Sequence, residues 1–102
     1  MKEIKTFRYN NTTNSRKDCL FTIKINNLCF YGISRCNLKV GDKFEKELAK
    51  TIAVGRCIEA KRLFEEDTII TFDSGDPKAD RMGVIATEYI PALLEWFDSL
   101  VC

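Results

Sequence analysis

Apolar and polar positions alternate three times within the first third of the chain. Ile4-Lys5-Thr6-Phe7-Arg8-Tyr9 predicts a first strand, and Cys19–Ile25 and Leu28–Arg35 predict two more, rich in β-branched and aromatic residues. The polar stretch Asn10–Lys17 predicts an exposed loop between the first two. Only Asn26-Asn27 separates the second and third. Asparagine tolerates positive φ, so the pair predicts a two-residue type I′ hairpin. That turn pairs Ile25 with Leu28, Ile23 with Phe30 and Phe21 with Gly32 on one face, the expected core face. The opposite face carries Leu20, Thr22, Lys24, Cys29, Tyr31 and Ile33. It is mixed rather than polar, which calls for partial cover.

Beyond residue 40 the period changes. Phe44, Leu48, Ile52, Ala53, Cys57, Ala60 and Phe64 recur at helical spacing and predict a helix over about residues 42–65. Asp42 would cap it, with Glu45 three residues on. Gly55 inside it costs up to about 1 kcal/mol against alanine, and a close approach to the sheet near Gly32 would explain its presence. Thr68–Phe72 is strand-like, and residues 73–77 (Asp-Ser-Gly-Asp-Pro) form a turn. Met82–Thr87 reads as a strand pairing with 68–72 rather than as a helix, since Pro91 argues against one continuous helix. A last helix runs from Thr87 or Ile90 to about Val101. The fold class expected is α+β: an antiparallel meander of three N-terminal strands packed on a long central helix, followed by a short β segment and a C-terminal helix.

Composition narrows the picture. The 102 residues suit one domain, 1–102, and 45% hydrophobic content suffices for a core. The charged start Met1-Lys2-Glu3 is unlike a signal peptide and no apolar run is long enough to span a bilayer, so a cytoplasmic protein with no membrane partner is expected. Cys19, Cys29, Cys36, Cys57 and Cys102 are odd in number and irregularly spaced. They read as small core residues rather than a disulfide framework or zinc site.

Charge is divided. Residues 1–62 hold 14 Lys/Arg against 6 Asp/Glu (net +8), and residues 63–102 hold 2 against 9 (net −7). Opposite electrostatic faces, or two segments that neutralise each other, are expected. There is no histidine, which removes Ser-His-Asp and Cys-His pairs and the commonest transition-metal ligand. No phosphate-cradling glycine loop is present. The carboxylates of Glu65-Glu66-Asp67 and Asp73/Asp76 read as solvated surface. Neither enzymatic activity nor a cofactor is expected, and the chain should act by binding.

Three binding chemistries are open. Tyr31, Arg35, Lys39, Lys43, Lys46 and Lys50 form a hairpin–helix surface, basic with an aromatic, that could meet nucleic acid or an acidic protein. The C-terminal helix is apolar on much of its surface, and Tyr89, Trp96, Phe97 and Leu100 could cover a partner or a second copy. A nucleotide-signal sponge would need a basic, aromatic-lined pocket.

One segment resembles a known group. Gly32-Ile33-Ser34-Arg35-Cys36, then Asp42-Lys43-Phe44-Glu45, then Ala53-Val54-Gly55-Arg56-Cys57 is similar to a pattern in small uncharacterised accessory proteins of phages that infect Gram-positive bacteria. The likeness covers residues 32–57. It departs at Leu48-Ala49, where glycine often stands, and at Cys57, where alanine does. The resemblance implies an accessory phage protein in a bacterial cytoplasm, a class that includes anti-CRISPR and other anti-defence inhibitors. Its partner would be a host effector, such as a nuclease, met by the basic surface.

Overall fold

The structure is a computed structural model, and it describes residues 2–10, 18–35, 46–66 and 81–99. Four strands, β1 (Ile4–Asn10), β2 (Asp18–Ile25), β3 (Leu28–Arg35) and β4 (Met82–Ala86), form one antiparallel sheet in the order β1-β2-β3-β4. Helix α1 (Lys46–Glu65) lies between β3 and β4 in sequence. A 3₁₀ turn (Thr87–Tyr89) leads from β4 into α2 (Ile90–Ser99). The expected α+β class and the three N-terminal strands are all present. The caps expected at Asp42 and Glu45, and the strand expected at 68–72, lie outside the described residues.

The β2–β3 register pairs Ile25 with Leu28, Ile23 with Phe30 and Phe21 with Gly32, as the two-residue loop requires. The turn itself differs in detail. Among the described non-glycine residues only Asn26 has positive φ, at 54°. One positive φ at the first turn position is the pattern of a type II′ turn, whereas type I′ needs two.

Helices cover both faces of the sheet. On one, Cys19, Phe21, Ile23, Phe30 and Val84 pack against Ala49, Ala53 and Cys57 of α1. On the other, Leu20, Cys29, Tyr31, Ile33 and Ile85 pack against Leu93 and Phe97 of α2. The mixed second face of the hairpin is therefore covered by α2. This corrects two expectations: Tyr31 and Phe97, assigned to binding surfaces, are both fully buried.

The helical stripe holds as expected at Ala53, Cys57, Ala60 and Phe64 but departs at Leu48, whose place in the core Ala49 takes. Buried positions on α1 are Ala49, Ala53, Cys57 and Ala60, all small, while Leu48 is 53% exposed. The cause lies at Gly32. A β-carbon there would collide with the Ala53 carbonyl oxygen and the Cys57 amide nitrogen. The α1 backbone thus lies directly on the strand, and leucine has no room beneath it. The close approach expected at Gly55 occurs at Gly32 alone, since a β-carbon on Gly55 would meet nothing within 4 Å.

Met82–Ala86 is a strand, and it pairs with β3 from Leu28↔Ala86 to Gly32↔Met82. Two backbone bonds extend that pairing: Ile33 N–H donates to the Arg81 carbonyl (2.7 Å) and Thr87 N–H to the Asn27 carbonyl (2.9 Å). The second ties the β4–α2 connection to the hairpin turn. Pro91 falls in the first turn of α2, where its missing N–H costs no helical bond.

Candidate functional site

α1 is buried mainly through small residues, and two of its larger apolar side chains, Leu48 and Ile58, face outward. Leu48, Thr51, Gly55 and Ile58 recur at spacings of three and four and form one solvent-facing stripe. Leu48 and Ile58 are 53% and 54% exposed, and Gly55 opens a shallow gap between them where a partner backbone can come close. No charged side chain interrupts the stripe between Leu48 and Ile58. Arg62 follows one turn later, hydrogen-bonded to Glu59 and to Glu66 (2.7 Å). These carboxylates raise the Arg62 pKa and Arg62 lowers that of Glu59. The stripe was concealed in the sequence because Leu48 fits the core stripe equally well by spacing.

Of the six residues expected to bind, the four that are described are dispersed. Tyr31 lies beneath α2 against Gly83, where a β-carbon would come within 2.6 Å of its hydroxyl. Arg35, at the end of β3, is mostly buried, with Nε 4.0 Å from the Asp18 carboxylate. Lys46 opens α1. Lys50 places Nζ 5.1 Å over the centroid of Phe7, a cation–π contact. Lys39 and Lys43 lie outside the described residues. Of the second expected patch, Tyr89 is 55% exposed, Trp96 is half-buried, Phe97 is buried and Leu100 is not described.

Several described cations are already engaged. Lys61 bridges Glu3 (3.5 Å) and Glu65 (3.8 Å). Arg8 forms a two-pronged ion pair with Asp98, binding β1 to α2 and joining the basic and acidic parts of the chain. The pair raises the Arg8 pKa and lowers that of Asp98. Arg56 Nη1 donates to the Ile33 carbonyl at 2.6 Å, and desolvation followed by repulsion from Arg81 lowers its pKa.

Two hollows accompany these features. The larger, about 560 Å³, lies beside the hairpin turn, with Ile25, Leu28, Phe30 and Phe64 as apolar lining and Lys61 between its two carboxylates. The smaller, about 300 Å³, lies between β1, β2 and α2, with Leu20, Ile90 and Leu94 below Arg8 and Lys24. The first carries more carboxylates than cations at its rim, which disfavours phosphate. In the second, Arg8 is held by Asp98. Among the described residues no three His, Cys, Asp or Glu side chains converge on a metal-sized site, and no helix is long and apolar enough to cross a membrane. No protein-family model, curated protein or solved structure matches the chain.

Proposed function

We propose that the chain is a non-enzymatic binding protein of phage origin that inhibits a bacterial defence effector stoichiometrically, docking through the outer face of α1. The observation that carries the docking surface is the uncharged stripe of Leu48, Gly55 and Ile58, with two large apolar side chains more than half exposed. Apolar anchors around a point of close approach suit a protein surface better than a phosphate backbone. Nucleic acid is disfavoured because Lys50 lies over Phe7 and Lys61 between two glutamates. The choice of a defence effector, in particular a CRISPR nuclease, rests on the resemblance of residues 32–57 to phage accessory proteins.

Size-exclusion chromatography of the purified chain with guide-loaded CRISPR nucleases tests this. A 1:1 complex that no longer cleaves target is expected. Ile58→Glu should weaken it at least about tenfold while leaving the thermal midpoint in place. Failure to bind any such nuclease overturns the choice of partner. Binding indifferent to Ile58→Glu overturns the choice of surface. A gel shift with nucleic acid alone at low salt would favour the nucleic-acid reading instead.

A further inference from the structure

The outer edge of β1 forms a second surface, distinct from α1. Strand β1 pairs with β2 over seven consecutive residues, from Ile4↔Lys24 to Asn10↔Asp18, without a bulge. Its other side has no strand among the described residues. Proteins commonly guard such an edge with proline, a bulge or unneutralised charge. β1 has no proline, and its two cations are matched within the chain: Lys5 by Glu3 at 3.9 Å and Arg8 by Asp98. Between them, Phe7 is 39% exposed, and Ile4 is 49% exposed at the strand's start.

We propose that two copies of the chain pair antiparallel through this edge, about a two-fold axis at Phe7, to make one continuous eight-stranded sheet. The order of residues in β1 is complementary to itself in this register. Phe7 meets Phe7, Thr6 meets Arg8, Lys5 meets Tyr9 and Ile4 meets Asn10, so no cation of β1 faces a cation of the other β1. Centring the pair one residue later would oppose Arg8 to Arg8. Each Phe7 ring already rests 4.7 Å from Phe21, so the seam joins two aromatic pairs into a row of four rings. The arrangement is isologous and closes at two copies. It leaves the outer stripe of α1 outside the seam.

Light scattering across a dilution series, on the full chain and two variants at Thr6, tests the proposal without any partner protein. The wild type should reach twice the 11.7 kDa chain mass. Thr6→Lys puts a cation opposite Arg8 of the copy and should raise the dimer Kd about tenfold or more, whereas Thr6→Glu should lower it. Thr6 is exposed, and near-ultraviolet circular dichroism verifies that each variant keeps its packing; if Thr6→Lys misfolds, Thr6→Glu still decides. A monomeric mass at every concentration, or a dimer indifferent to both charges, overturns the seam. Neither outcome depends on Leu48 or Ile58, so failure here is separable from failure of effector binding.

Discussion

At Gly32 the missing side chain decides where a whole helix lies. Any β-carbon there meets backbone atoms of Ala53 and Cys57, which cannot rotate away as a flexible side chain would. Gly55 is the opposite case, a helical glycine on the solvent face with open space around it. Gly32→Ala should therefore cost about 3 kcal/mol or more, at the upper end for overpacking or beyond it. Gly55→Ala should gain about 0.5–1 kcal/mol by restricting the unfolded chain and favouring the helix. Urea denaturation of the two variants measures both. Stabilisation by Gly32→Ala would contradict the contact, and a loss at Gly55 would show that its freedom is used within the monomer. Should Gly55→Ala stabilise the fold yet weaken effector binding, the glycine's place in the stripe would be explained by close approach of the partner.

The hairpin and the helix differ in how far residue patterns determine them. Strand alternation in 19–25 and 28–35, with a two-residue loop, leaves only one register that keeps Phe21, Ile23 and Phe30 on one face, so β2 and β3 were legible down to individual pairs. The turn type was not, because asparagine suits both a I′ and a II′ arrangement. With φ at 54° for Asn26 alone, the cost of a β-branched side chain should concentrate there. Asn26→Val should destabilise by about 1–2 kcal/mol, and Asn27→Val by less, in thermal melts. Equal losses at both would restore the type I′ reading. For α1, spacing alone could not distinguish a stripe through Leu48 from one through Ala49, adjacent positions about 100° apart on a helix. The close contact of α1 with Gly32 selects the alanine side, and that contact depends on residues distant in sequence. The exposed stripe followed from the same long-range contact, so the candidate surface could not be read locally. Tyr31 illustrates the limit too: its mixed face called for partial cover, but nothing local says that the cover is complete or that it comes from residues 93 and 97 of α2.

Seen as a whole, the molecule is a sheet with a helix on each face, and buried cysteines mark both helix–sheet contacts. Cys57 lies between α1 and the sheet, its thiol 3.3 Å from the Phe30 carbonyl, and Cys29 lies on the α2 side with Leu20 and Tyr31. Burial pushes the Cys29 pKa up from 9.0 to about 11 and the Cys57 pKa from 9.0 to about 12. Unfolded thiols ionise near their ordinary value while the native ones hold their protons. Between pH 9 and 11 the unfolded state therefore binds fewer protons, and stability falls as pH rises. The contribution is fully present below pH 9, and each thiol removes up to about 1.4 kcal/mol per pH unit within its window. The urea midpoint should therefore decline above pH 9, and more gently in Cys57→Ala, which lacks one of the two groups. The same thiols distinguish the layers kinetically. If α2, attached largely through Leu93 and Phe97, undocks before the longer α1, iodoacetamide at pH 8 should label Cys29 faster than Cys57 in the native protein, as peptide mass mapping would show. Equal rates would mean that both helices leave the sheet in one cooperative opening, and a slope unchanged by Cys57→Ala would place the alkaline loss elsewhere.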